Sequence, residues 1–94
     1  MSAYVIGHIT VLDPALWDEY RNQVPGTLVG TGGELVFRGT TARVLGGQHS
    51  HEQTVVIRFP SLDAAHAWFD SPAYQALIPL RVKAARVDLV SYTT

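Results

Sequence analysis

Four short runs rich in β-branched residues, with a capped amphipathic helix after the first and another after the third, leave this chain few ways to fold. Ala3 to Leu12 has no helical period and reads as the first strand. Asp13-Pro14 then starts a helix. Asp13 offers a side-chain acceptor at the N-cap, and Pro14 stands where its missing N–H costs nothing. Leu16, Tyr20 and Val24 recur at four-residue steps and give that helix an apolar stripe. Pro25-Gly26 predicts a break or kink, with a further turn through Leu28 ended by Gly30, Gly32 and Gly33. Glu34 to Arg38 is the second strand. Gly39-Thr40 reads as a turn, Ala42 to Leu45 as a candidate short strand, and Gly46-Gly47 as another turn. Thr54 to Phe59 is the third strand, closed by Pro60. Ser61 caps the next helix, and Ser71-Pro72 repeats the signal and restarts a helix through Tyr74, Leu77 and Ile78. Pro79 predicts a kink or a fresh first turn, and Arg86 to Tyr92 is the fourth strand.

The order is β-α-β-β-α-β, the ferredoxin-like plan of an α+β domain, with a four-stranded antiparallel sheet and helices on one face. Residues 1–94 are enough for one domain. A domain of this size buries only about 60–65% of its unfolded surface, and such domains often add disulfides, metals or self-association. There is no cysteine, which excludes disulfides, thiolate metal sites and a cysteine nucleophile. The chain is 47% hydrophobic and only 16% charged, so apolar surface is left over and a homodimer is expected to cover it. Net charge is −1 with the basic residues scattered, which argues against nucleic acid. No apolar run is long enough for a membrane span, and the first run lacks a signal peptide's basic flank, so the expected location is cytoplasmic.

Side chains alternate across a strand. One set holds Val5, Gly7, Ile9 and Val11 with Leu35, Phe37, Val55, Ile57, Phe59, Val87 and Leu89, and is expected under the helices. The other mixes Ile6, Val36, Val56 and Val90 with Tyr4, His8, Arg38, Arg58, Asp88 and Tyr92. Such a half-apolar face suits packing on a second copy around a polar cavity. The plainer reading is a partly solvated face with scattered ion pairs.

The stretches YVIGHITVLDPALWDEY, GGELVFRG, VVIRFPSLDAAHAWFDSPAYQ and LRVKAARVDLV resemble the bacterial family called domain of unknown function 1330, within the dimeric α/β-barrel superfamily. The resemblance implies two ferredoxin-like subunits packed sheet to sheet. It also implies that Arg38, Trp68, Ser71, Tyr74 and Arg81 stand at positions typical of the family. The family commonly has an acidic residue where this chain has Arg58, and His49 and His51 are additions. Elsewhere in the superfamily are cofactor-free monooxygenases, polyketide cyclases, lactone isomerases and haem enzymes.

His8, mid-strand on the mixed face, is the candidate general base, with Asp88 or Tyr92 nearby. Arg38, Arg58 and Arg81 are candidate clamps for a carboxylate, phenolate or enolate, and the alternative for each is a structural ion pair. Trp68 and Tyr74 are expected to shape the pocket, with Tyr74 at its mouth. Trp17, Tyr20, Trp68, Phe69 and Tyr74 all fall at helical spacing, and the plainer reading of each is core before ligand platform. His49 and His51 could meet a metal in extended chain, but they follow Gly46-Gly47 and read as an exposed hairpin loop, so no metal site is expected. His66 is expected to pair with Asp70 on an exposed helix face. Gly30, Gly32 and Gly33 follow no strand and so make no dinucleotide site. The expected protein is a small-molecule homodimer without a cofactor, acting on an activated carbonyl or phenolic substrate by proton transfer as an isomerase, cyclase or monooxygenase does. The alternative is a non-catalytic dimer that binds a small acidic or aromatic ligand.

Overall fold

A computed structural model of the chain describes residues 2–94. Its elements are β1 (Ala3–Val11), α1 (Pro14–Leu28), β2 (Glu34–Thr40), β3 (Gln53–Phe59), α2 (Leu62–Asp70), α3 (Pro72–Gln75), α4 (Ile78–Ala84) and β4 (Ala85–Thr93). The strands form one antiparallel sheet in the order β2-β3-β1-β4. Alternation along β1 decides which face is covered. Ala3, Val5 and Ile9 are buried with Trp17, Tyr20, Trp68 and Tyr74 of the helices, while Tyr4, Ile6 and His8 turn to the other side. The molecule is only 16 Å through its thin axis against 33 and 30 Å across, so one helical layer covers one sheet face and leaves the other bare.

The caps work as their chemistry requires. The Asp13 carboxylate accepts from the backbone N–H of Ala15 and Leu16. Ser61 Oγ accepts from Ala64, and Ser71 Oγ accepts from Tyr74. Pro79 opens α4 as a separate helix, where its missing N–H is harmless. Pro25 does not break α1, which runs on to Leu28. The Thr27 hydroxyl donates to the Val24 carbonyl at 2.6 Å and accepts from Trp68 Nε1 at 2.9 Å, so tertiary contacts hold the last turn. The candidate strand over Ala42 to Leu45 is irregular chain, and Gly39-Thr40 belongs to β2 instead of a turn.

The register of β2 departs from simple alternation. Leu35 pairs with Ile57, but Phe37 pairs with Val56 and Arg38 with Val55, so the pairing shifts between Leu35 and Phe37 and Val36 is the extra residue of a bulge. Paired residues share a face. Phe37, expected under the helices, therefore lies on the bare face, and Arg38, expected on the bare face, turns to the helical side. The Phe37 ring lies over Gly39, where any β-carbon would collide with it.

Candidate functional site

The bulge sets up the site. On the helical side of the sheet, β2 and β3 place Arg38 beside Val55, and Val55 pairs with Gly7 of β1, which pairs with Leu89 of β4. Gly7 carries no side chain, the side chains of Val55 and Leu89 lean in over it, and α1 spans above the row. The result is a cavity of about 90 Å³ between α1 and the sheet. Its walls are apolar: Ile9, Val24, Leu28, Val55, Ile57, Val87 and Leu89, with the rings of Trp17, Tyr20 and Trp68. Trp17, Tyr20 and Trp68 are buried, while Pro25, Leu35 and Arg38 are exposed. The mouth therefore opens between the end of α1 and the edge strand β2. Two guanidinium groups stand in the lining, those of Arg21 and Arg38. Arg21 bonds Asp18 one turn earlier at 3.3 Å, and Arg38 has no ion-pair partner among the described residues. No carboxylate and no imidazole lines the cavity.

Trp68 forms part of the wall, and Tyr74 sits behind it with ring centroids 4.4 Å apart. Tyr74 is fully buried, so it is not at a mouth. Its hydroxyl is 2.8 Å from that of Tyr20 and accepts from Arg81 Nη1 at 2.8 Å. Arg81 is thus engaged inside the helical layer, its charge spent on a phenol oxygen. Burial, and next the neighbouring Tyr74, push the Tyr20 phenol far above its ordinary pKa, so it stays protonated.

His8 and Arg58 lie on the opposite, bare face. Arg58 pairs with Glu34 directly across the β2–β3 ladder. His8 Nδ1 is 3.3 Å from Thr54 Oγ1. Within one subunit the sheet itself separates His8 from Arg38, so the two cannot serve one ligand there. Arg58 is likewise turned away from the cavity.

A second cluster forms around His8 that the chain order hides. His51 is buried instead of lying in an exposed loop. Its Nε2 is 2.6 Å from Asp88 Oδ2 and its Nδ1 is 3.0 Å from Thr10 Oγ1. A carboxylate can only accept, so Nε2–H donates to Asp88. The ring of His8 lies 5.1 Å from that of His49 and 6.2 Å from that of His51. Both ring nitrogens of His51 are occupied, and among the described residues no group of three such side chains is placed to hold a metal ion. His66 donates to or accepts from Ser91 Oγ at 3.0 Å across to β4, not Asp70.

The hydrogen bond from His51, more than the charges of His51, Arg86 and His8, holds the Asp88 carboxyl below its ordinary value of 3.8. A carboxyl depressed in the folded state adds stability above its unfolded pKa, and loses it as pH falls through the folded value. Asp88→Asn is therefore expected to lower Tm at pH 6 and to leave a smaller further fall between pH 6 and pH 3 than the parent shows. Thermal unfolding at the two pH values checks this.

A family model described as "Domain of unknown function (DUF1330)" matches residues 2–93. No curated protein matches the chain. Among solved structures, the chain is similar to the RPA0582 protein of unknown function from Rhodopseudomonas palustris, with TM-score 0.80, 15% identity, and 99% of this chain and 82% of that one covered. It is similar to a dimeric ferredoxin-like protein of unknown function from a Jannaschia species, with TM-score 0.71, 13% identity and 100% of both chains covered. It is also similar to SnoaB, a cofactor-independent oxygenase from Streptomyces nogalater, with TM-score 0.68, 14% identity, and 99% and 92% covered. At these identities the likeness establishes the ferredoxin-like fold. Among the described residues no helix is long and apolar enough to cross a membrane.

Proposed function

This chain belongs to the DUF1330 family, and from that premise we propose that it is a homodimer whose subunits each bind a small, largely apolar acid in the cavity between α1 and the sheet. The observation that carries this reading is the bulge at Val36, which turns Arg38 to the mouth of an apolar cavity with no carboxylate to neutralise it. An unpaired guanidinium at the rim of an apolar hole suits a planar oxyanion attached to a hydrophobic body. An apolar cavity of about 150 Å³ holds benzene. The interior here, about 90 Å³, is smaller than that, so a ring enters only in part and the rest of the ligand lies at the open mouth.

The bare face supports the dimer. Phe37, Val56, Ile6 and Val90 stand opposite one another and form an apolar band across all four strands. Phe37 is 54% and Val90 41% exposed in the single chain. The dimeric relatives show that this fold can assemble through self-association.

A catalytic version is favoured by the likeness to SnoaB, an oxygenase that needs no cofactor. The lining holds no carboxylate or imidazole, so a substrate reacting here would have to be acidic enough to ionise readily. The chain would contribute Arg38 as a fixed charge against the developing oxyanion. His8 has no part in that version within one subunit.

A thermal-shift titration with single-ring carboxylates and phenols tests the reading. A ligand that binds only the folded state raises Tm by mass action. Arg38→Ala should abolish that rise yet change the unliganded Tm little, since Arg38 is exposed and unpaired. Arg58→Ala should keep the rise. Loss of the rise in Arg58→Ala with retention in Arg38→Ala would place the ligand on the other face.

A further inference from the structure

Among the described residues three hydroxyls meet an imidazole nitrogen: Thr54 meets His8 at 3.3 Å, Thr10 meets His51 at 3.0 Å, and Ser91 meets His66 at 3.0 Å. Of these imidazoles only His51 also has a carboxylate on its other ring nitrogen, with Asp88 Oδ2 2.6 Å from Nε2. That contact fixes the protons along the chain of bonds. Nε2–H donates to Asp88, so Nδ1 keeps its lone pair and the Thr10 hydroxyl donates to it. Arg86 Nη2 donates to the same Thr10 oxygen at 3.4 Å. A hydroxyl that gives its proton to an imidazole, itself held by a carboxylate, is the arrangement that makes an alcohol nucleophilic. His51 is buried, Thr10 is half-buried, and Asp88 and Arg86 are exposed, so the base is fixed in place while the hydroxyl can still be reached. The group stands on the bare face four residues along β1 from Ile6, about 13 Å from the middle of the apolar band. It lies across the sheet from the cavity and owes nothing to the small-acid reading.

We propose that Thr10, His51 and Asp88 form a nucleophilic triad that hydrolyses carboxylic esters with a short acyl chain. Thr10 Oγ1 attacks the ester carbonyl carbon, the carbonyl electron pair moves onto its oxygen, and the hydroxyl proton passes to His51 Nδ1. The intermediate collapses, the bond to the leaving oxygen breaks, and His51 Nδ1 returns the proton to the departing alcohol. Water then attacks the acylated Thr10 with His51 Nδ1 as base, and the carboxylic acid leaves as Thr10 regains its proton. One ester and one water give one acid and one alcohol. Arg86 places positive charge beside the oxygen that turns negative in each attack. Asp88 does not touch the substrate. It is a positioning residue that holds His51 in the tautomer with a free Nδ1 and favours the imidazolium that forms. The short acyl chain follows from crowding. The rings of His8 and His49 lie 6.2 and 5.9 Å from that of His51, and threonine adds its own β-methyl group.

The test uses p-nitrophenyl acetate and p-nitrophenyl butyrate. Nitrophenol release gives kcat and KM, and samples quenched in acid early in turnover are digested for mass spectrometry. In the parent protein an acetyl group should appear transiently on Thr10, located by fragmenting the peptide that ends at Arg21. Thr10→Val keeps the shape and loses the hydroxyl. It should carry no acetyl group at position 10 and lose about a hundredfold or more of kcat/KM. Thr10→Ser keeps a hydroxyl and should retain both the adduct and activity within about tenfold of the parent. His51→Gln should lower kcat by about a hundredfold or more, the usual worth of a positioned base. Asp88→Asn should lower kcat by at least about tenfold and leave KM nearly unchanged, a split that loss of a purely structural bond would not give. An acetyl group found only on histidine or on the amino terminus overturns the proposal. So does a Thr10→Val rate equal to the parent's, and so does a parent protein with neither adduct nor turnover. The adduct on the parent protein decides the matter even if His51→Gln folds poorly.

Discussion

Replacing Tyr74 with alanine is expected to remove about 3–5 kcal/mol of stability, the range for truncating a buried aromatic ring. Tyr74 has no exposed surface and packs against Trp68, Phe69 and Tyr20. Its hydroxyl also holds the Tyr20 hydroxyl and Arg81 Nη1. Losing it leaves a phenol and a guanidinium N–H without their partner in a poorly hydrated site, and such groups cost more than a surface hydrogen bond returns. In a domain of this length Tm should fall by roughly 15–30 °C. Tyr74→Phe keeps the ring and loses only the hydroxyl, so about 1–3 kcal/mol is expected. Urea unfolding of both variants separates the packing and polar parts. A loss below about 1 kcal/mol in Tyr74→Ala would contradict the role assigned to this network.

The second large effect concerns the bare face. Ile6→Glu is expected to convert the homodimer to a monomer at micromolar concentration. Ile6 is the centre of the band, flanked by Val56 on one side and Val90 on the other. A carboxylate there has no cation opposite it on either neighbouring strand. Its burial against a second copy would cost about 3–5 kcal/mol, a weakening of at least a hundredfold. Light scattering after size exclusion should give twice the 10.3 kDa of one chain for the parent and for the control Lys83→Glu on α4. Ile6→Glu should give a single chain's mass. A parent protein that is already monomeric would remove the dimer from the account, while leaving the cavity untouched.

The plan of the fold was legible in the sequence because its signals are local. Asp13-Pro14, Ser61 and Ser71-Pro72 start helices by chemistry that needs no distant partner. Alternation along β1, β3 and β4 assigned their faces correctly because the register there is unbroken. The segment from Glu34 to Thr40 alternates just as cleanly, yet its faces exchange after Val36. A bulge is a property of two paired strands, and nothing inside β2 announces it except Gly39, which leaves a slot for the Phe37 ring. His51 departs from its local pattern for a similar reason. Its neighbours Gly46 and Gly47 speak for a loop, while its anchors, Thr10 and Asp88, lie 41 and 37 residues away. Trp17 falls at core spacing and is buried, but no pattern in the chain reveals that its N–H lacks an acceptor.

The two faces of the sheet are held to do different work, the covered face receiving a small acid and the bare face receiving a second copy. Methyl-resolved NMR of the parent protein titrated with benzoate and its hydroxy derivatives tests this most directly, because strand alternation places reporters on both sides. The expected result is that Val55, Ile57, Val87 and Leu89 shift on titration while Ile6, Val56 and Val90 stay still. Shifts confined to Ile6, Val56 and Val90 would place the ligand against His8 and Arg58 and contradict the account.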